Sequence, residues 1–406
     1  MARLIFSTGV LLVATAVGSA AQWPQWRGPN RDGVVPPAFI PAHWSSQPML
    51  KWKQMVGEGY SSPVVADGRV FVHSRRSPSE FVTALALQTG KPLWHAEYEA
   101  PFTKSQYARD MSGGPFSTPL VFNGRLFTLG VTAVLSSFDA ATGALRWRKD
   151  YSKAVSTAKL FTGTAMSPLI DGGLLIVHVG DDAGGAFRAF DPMTGAEKWT
   201  LTGHGPGYAS PIVTTAGGVR QFVTMTDKAV VGIEIANGKL LWSLPFPDEW
   251  NENVVTPVVA DGVLVISGTR KGTFGYRLAK GDAPAQLWHN TDVPMYLSSP
   301  VADGAFVYGF TSRNKGQLFC LEAKTGKVRW TTEGRFARSA SLLSAPPYLV
   351  ALTTEGELVV TRQSPEKFDE VKRFKVADPP SWSHPVLLGG DLLVRGADSV
   401  ALWSLR

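Results

Sequence analysis

The chain has 406 residues, 44% hydrophobic and 18% charged, with 41 Gly, 28 Pro, 13 Trp and one Cys. That apolar content excludes a disordered chain, and the low charge and lack of a Gly period exclude coiled coil and collagen. The net charge of +7 is spread thinly, without the basic run that marks a nucleic-acid surface, so no nucleic-acid partner is expected.

Residues 1–20 read as an export signal. Arg3 supplies the positive start, residues 4–17 a mostly apolar core, and Gly18-Ser19-Ala20-Ala21 small residues for cleavage. An exported protein, periplasmic or extracellular, is expected. Whether the apolar segment is cleaved or kept as an anchor stays open; no Cys stands there to carry a lipid, and no transmembrane span is expected in the mature chain. Residues 21–49 form a separate segment, rich in Pro and Trp, expected to lie extended across the surface of the domain formed by residues 50–406. Trp23, Trp26 and Trp44 are its candidate anchors, and a mobile partner-binding tail is the alternative.

From residue 50 a pattern repeats. Thr89-Gly90-Lys91-Pro92-Leu93-Trp94 returns at Thr142-Gly143, Thr194-Gly195, Asn237-Gly238 and Thr325-Gly326, each followed by a Trp at position 147, 199, 242 or 330. Trp52 and Trp288 keep the same beat, and Phe374 takes the place in a copy without Thr-Gly. A second landmark opens each apolar run: Ser62-Pro63, Thr118-Pro119, Ser167-Pro168, Ser210-Pro211, Thr256-Pro257, Ser299-Pro300 and His384-Pro385, with a degenerate opening near Ser339 to Ser344. Turn pairs such as Asp67-Gly68 and Asn123-Gly124 follow. Each unit reads strand, turn, strand, loop, strand, turn, strand. That is the pattern of a propeller blade. The prediction is all-β: one eight-bladed β-propeller of four-stranded antiparallel blades over 50–406. The chain enters with one strand around Trp52 and leaves with three, so the N-terminal strand should pair with the last blade and close the ring. Each repeat Trp should lie on the Gly of a neighbouring turn. The lone Cys320, inside Leu318-Phe319-Cys320-Leu321, reads as a buried hydrophobe.

The stretch Ala189-Phe190-Asp191-Pro192-Met193-Thr194-Gly195-Ala196-Glu197-Lys198-Trp199 resembles the repeat of quinoprotein-type, PQQ-like propellers. Trp23-Pro24-Gln25-Trp26-Arg27-Gly28-Pro29-Asn30-Arg31-Asp32-Gly33 is similar to the start of exported bacterial proteins with such repeats. The resemblance implies two kinds of function. Pyrroloquinoline-quinone (PQQ) alcohol dehydrogenases use Ca²⁺, an Asp base, an Arg, and a disulfide of adjacent cysteines over the quinone. The propeller of the outer-membrane β-barrel assembly machinery is a non-catalytic scaffold. One Cys cannot make that disulfide, and the longest insertion, residues 96–114, holds only Lys104, Tyr107, Arg109 and Asp110 as notable groups.

Candidate site residues gather where loops should surround one mouth of the ring. Tyr60, Phe116, Tyr208 and Trp382 each stand three residues before a strand-opening Pro, with Tyr296 one residue earlier than that position. Arg109, Arg338, His204 and His384 fall nearby. Such aromatics suit a ligand or peptide surface, or simply a hydrophobic lid on the channel. Asp181 and Asp182 share a turn, with Glu249, Trp250, Asn251, Glu252 and Asn253 nearby; Asp181 with Asn251 or Asn253 is the candidate for a hard cation, against a plain solvated turn. The scattered His residues lack zinc spacing, and no nucleophile elbow is present. The expectation is a monomeric, non-catalytic scaffold without cofactor that binds a protein or small ligand at the mouth. The alternatives are a PQQ- and Ca²⁺-dependent dehydrogenase of alcohols or sugars, and a carbohydrate-binding propeller.

Overall fold

The computed structural model describes residues 22–406, apart from 42, 46, 158, 159, 182 and 280–282. The proposed export segment and Asp182 lie outside the described residues.

The strands form eight four-stranded antiparallel sheets. Blades 1 to 7 are the segments 64–99, 120–150, 169–202, 212–245, 258–290, 301–331 and 340–375. Blade 8 combines Val386–Leu388, Asp391–Arg395 and Ser399–Ser404 with Met49–Met55, which pairs antiparallel to Ser399–Ser404. The all-β, eight-bladed ring and its closure by the N-terminal strand are therefore as the repeat predicts.

Burial explains the radial order. The first strands of neighbouring blades pack against one another around the axis, so Val64–Ala66 is wholly buried. The fourth strand faces solvent, and Pro92–Glu99 alternates between exposed and covered positions. Asp67 and Gly68 both have positive φ, 49° and 72°, which makes the tight turn that joins the first two strands. In every blade the pairing of third and fourth strands slips by one residue just before the turn, as at Ala84/Leu85 and Ser137/Phe138, or at Leu50/Trp52 in the closing strand.

That slip sits beside the repeat Trp. The indole Nε1 of Trp52 donates to the Leu87 carbonyl of blade 1 at 2.8 Å. Trp94, Trp147, Trp199, Trp288 and Trp330 make the same bond to the next blade, at 2.7–3.1 Å. A Cβ at Gly90 would meet the Trp52 ring at 2.6 Å, on a backbone with φ +67°, so only Gly serves. Trp242 departs from the expectation. It turns to Gln221 of its own blade at 2.8 Å, facing a neighbour whose Thr-Gly copy is missing. Cys320 is fully buried, and burial pushes its thiol up to about 12, which leaves it unreactive.

Ring closure has a second fastening. The Arg395 guanidinium of blade 8 donates from Nη1 to the carbonyls of Ser61 and His73 at 2.8 and 2.7 Å, and from Nη2 to the Ser74 hydroxyl at 2.9 Å.

Candidate functional site

The channel along the ring axis has two unlike ends, and the strand-opening Pro residues lie between them. One end is filled by the chain itself. Trp23 pairs with Val65 through both backbone bonds, and the Val121 amide donates to Pro24. The Ser344 amide donates to Gly33, and the Val35 amide to Ser344. Arg31 spreads between, donating from Nε to the Pro211 carbonyl at 3.0 Å and from Nη1 to Pro168 at 2.7 Å. Arg27 donates to the Pro300 and Asp32 carbonyls. A Cβ at Gly33 would strike the Arg27 guanidinium at 2.7 Å. So residues 23–35 enter the channel, where the sequence suggested a segment laid over the surface. Burial pulls Arg27 down to about 10 and Arg31 to about 9; Asp32 opposes the shift at Arg27, and Arg27 adds to it at Arg31. Trp44 lies farther out, edge-on to Tyr348 at 5.7 Å.

Above this plug the residue before each strand-opening Pro does a second job. The Ser62 amide donates to the Thr118 hydroxyl, Thr118 to Ser167, Ser167 to Ser210, Ser210 to Thr256, and Thr256 to Ser299, all at 3.0–3.2 Å. The His384 amide completes the seam to Ser62 at 2.9 Å. At blade 7, which lacks the Ser-Pro, the Ala340 amide uses Ser298 instead. The Ser/Thr-Pro spacing carried this hydroxyl ring in plain sight, but its role depends on the neighbouring blade and cannot be read within one repeat.

A cavity of about 160 Å³ lies between the hydroxyl ring and the mouth. Trp26 and His384 form its base, edge to face at 5.5 Å, with the Arg27 and Arg31 guanidiniums 5.2 and 5.7 Å from the Trp26 ring. Tyr60, Phe116, Tyr208 and Trp382 line its walls, joined by Phe161, which the sequence did not single out. The Tyr60 ring is 5.6 Å from Phe116 and 6.0 Å from Trp382, and Arg338 lies over Trp382 at 5.4 Å. The Tyr60 and Tyr208 hydroxyls accept from the amides of Ser112 and Phe161. Burial raises both phenols above their usual range. Tyr296 is not among the wall residues. Its hydroxyl donates to Glu252, and Leu297, at the true repeat position, faces the cavity.

The remaining candidates sit outside this cavity. Trp250 is 55% exposed and meets Tyr107, 71% exposed, at 6.2 Å. This brings the insertion after blade 1 against the loop after blade 4. Arg270 covers Trp250 at 5.7 Å and pairs with Glu249. Asn251 takes a left-handed turn, with φ 55°. Arg109 is exposed and lends only its carbonyl, to Lys104. Asp181 caps the amides of Ser156 and Ala183 with its two oxygens, and Asn253 donates to the carbonyls of Thr226, Asp227 and Phe246. These bonds are those of turns, and no group of three or more His, Cys, Asp or Glu among the described residues is placed to hold a metal ion.

The donors around the cavity do not suit a Ca²⁺-bound quinone. Ca²⁺ needs six to eight hard oxygens, usually with carboxylates, and among the described residues no Asp or Glu lines the cavity. The mouth carboxylates Glu58 and Glu252 are held by Ser112 with Gly113 and by Tyr296. An Asp base for an alcohol is likewise missing from the lining.

Known proteins frame these observations. The chain is 23% identical over 374 residues to outer membrane protein assembly factor BamB of Yersinia pestis, covering 86% of each. It is 33% identical over 129 residues to a lanthanide-dependent methanol dehydrogenase of Methylacidiphilum fumariolicum, 30% of this chain and 21% of that one. Among solved structures, BamB from Moraxella catarrhalis has a TM-score of 0.63 at 14% identity, covering 89% of this chain and 98% of its own. The quinohemoprotein alcohol dehydrogenase from Comamonas testosteroni scores 0.68 at 13% identity, covering 95% and 80%. At such identities the structural likeness establishes the fold alone. A family model described as outer membrane protein assembly factor BamB matches residues 78–332, more than half of the chain. This chain belongs to that family of PQQ-like repeat propellers.

Proposed function

We propose that this protein is an exported, non-catalytic propeller that holds a partner at its mouth. Residues 1–20 act as the export signal, 21–49 as a separate strap whose residues 23–35 plug the channel, and 50–406 as a monomeric ring. The observation that carries the reading is the mouth cavity: aromatic walls and a ring of hydroxyls, with no carboxylate among the described lining residues to serve as metal ligand or base. The exposed Tyr107–Trp250 pair beside it supports the same view, since exposed Tyr and Trp are enriched where proteins meet. The relatives named as outer membrane protein assembly factors support a place in the bacterial envelope.

The dehydrogenase reading draws on fold likeness to the alcohol dehydrogenases. Titrating the purified chain with PQQ and Ca²⁺ separates the two. The scaffold gives neither saturable binding nor dye reduction with alcohols or aldoses. A bound quinone that reduces dye overturns it. Photocrosslinking in cells from position 107 or 250 should trap a defined envelope protein, whereas position 145 on the outer rim should not.

A further inference from the structure

We infer that the mouth cavity is a receptor for a carboxylate carried on an apolar body, seated with the carboxylate toward the hydroxyl ring and the body among the aromatic walls. This rests on the mouth being the binding site and names the chemistry it takes.

The argument starts from hydrogen-bond arithmetic. A hydroxyl has one hydrogen and two lone pairs. In Ser62, Thr118, Ser167, Ser210, Thr256 and Ser299 a lone pair is already taken by a neighbouring blade's amide. All six hydroxyls line the cavity, and none donates to a partner among the described residues. The ring thus offers O–H groups to the cavity without an acceptor to meet them. His384 lines the same space with a buried, unpartnered Nδ1, which joins these donors in the tautomer that carries its proton there. Buried polar groups of this kind normally find a partner.

Charge selects among acceptors. Two fully buried guanidiniums, Arg27 and Arg31, flank the Trp26 ring that floors the cavity, and all of the Arg31 donors go to uncharged oxygens. Their field favours an anion. Arg338 at the rim has the same sign; Asp32 beside Arg27 and the rim carboxylates Glu58 and Glu252 oppose it, the last two already held by Ser112 with Gly113 and by Tyr296. A carboxylate is an acceptor-only group with about four lone-pair sites, so it can meet several of these O–H donors and brings no donor to oppose them. The walls decide the rest. A bare inorganic anion would lie against phenyl and indole rings, whereas an aryl or alkyl body uses them. The cavity equals about five waters in volume, enough for one such head group.

Two sources carry this chemistry: a free organic acid, or the C-terminus of a protein chain. Titration calorimetry on the full-length protein, with Trp fluorescence as a second readout, distinguishes them. The probes are phenylacetate and acetyl-Gly-Phe with a free carboxylate, each against its own amide. At least one acid should bind saturably and at least about tenfold more tightly than its amide, as charge-assisted hydrogen bonds require. A peptide that outbinds phenylacetate assigns the site to a chain terminus; the reverse assigns it to a small acid. Ala165→Phe and Val254→Phe, which fill the cavity without removing a ring hydroxyl, should each abolish binding in a folded chain. Equal affinity for acid and amide, no binding of either up to about 10 mM, or binding untouched by both filling variants overturns the inference. If the acids fail while crosslinking from positions 107 and 250 still traps a partner, the carboxylate chemistry falls and the mouth reading survives. If both fail, the mouth reading falls as well.

Discussion

The two ends of the channel use the same repeat position for opposite purposes. At the plugged end, carbonyls of Pro168, Pro211 and Pro300 receive guanidinium donors from residues 27 and 31 of the same chain. At the mouth, the hydroxyls just before those prolines face a cavity whose aromatic walls are part exposed. The difference teaches that burial of polar groups is nearly completed at one end, where the buried Arg27 Nε lacks a partner among the described residues, and left incomplete at the other. The completed end should govern stability, and the incomplete end should govern binding.

The largest test removes a tie at the plugged end. Arg31→Ala strands three buried channel carbonyls and should cost about 4 kcal/mol, read from denaturant midpoints. A loss below about 1 kcal/mol would show that the plug is merely lodged there.

Next comes acid. His178 sits below the mouth, its Nε2 2.9 Å from the His204 carbonyl, stacked on Phe187 at 3.8 Å. Burial pulls its pKa from 6.5 to about 4. Between those values the unfolded chain binds a proton that the folded chain refuses. Stability should therefore fall as pH drops through this window, by about 3 kcal/mol in all. His384, also buried and lowered by burial and by Arg27, acts in the same direction. Urea unfolding at pH 7 and pH 4 should show a shallower loss in His178→Phe than in the parent. Equal losses would place the acid sensitivity elsewhere.

Tyr208→Phe tests a wall of the mouth. It deletes the acceptor for the Phe161 amide and should cost about 1 kcal/mol, with the wall otherwise kept. The smallest effect on stability belongs to Trp250→Ala, within about 0.5 kcal/mol because the ring is exposed. The same change should cut partner crosslinking sharply. A large loss of stability with unchanged crosslinking would reverse the roles assigned to the two ends.

The ring was legible because every blade repeats its own local signals: the Asp-Gly turn, the apolar run, and the Gly that receives an indole. The mouth was partly legible. Tyr60, Phe116, Tyr208 and Trp382 keep a fixed distance from a strand-opening Pro, and that distance sets which way a side chain faces. Tyr296 was misread because it is one residue out of phase, so its ring turns to Glu252 while Leu297 takes the wall. The plug was hidden. Arg31 meets carbonyls 136 to 180 residues away, and no local pattern announces that a cation will be buried on carbonyls. The pairing of Tyr107 with Trp250 was hidden for the same reason, since two loops from different blades make it.

Closure of the ring also bears on how the chain folds. Met49–Met55 must find Ser399–Ser404. Joining ends about 350 residues apart costs on the order of 5 kcal/mol of chain entropy. Contacts within a blade are local and form first; the seam should form late. Until it does, the strand bearing exposed Met49, Leu50 and Met55 and the unpaired edge of Ser399–Ser404 are both open to another molecule. A circular permutant with its ends moved to the loop between blades 4 and 5 would relocate that seam. Its refolding rate and its yield at high concentration, against those of the parent, would measure what the late seam costs, and equal values would mean that closure is not the slow step.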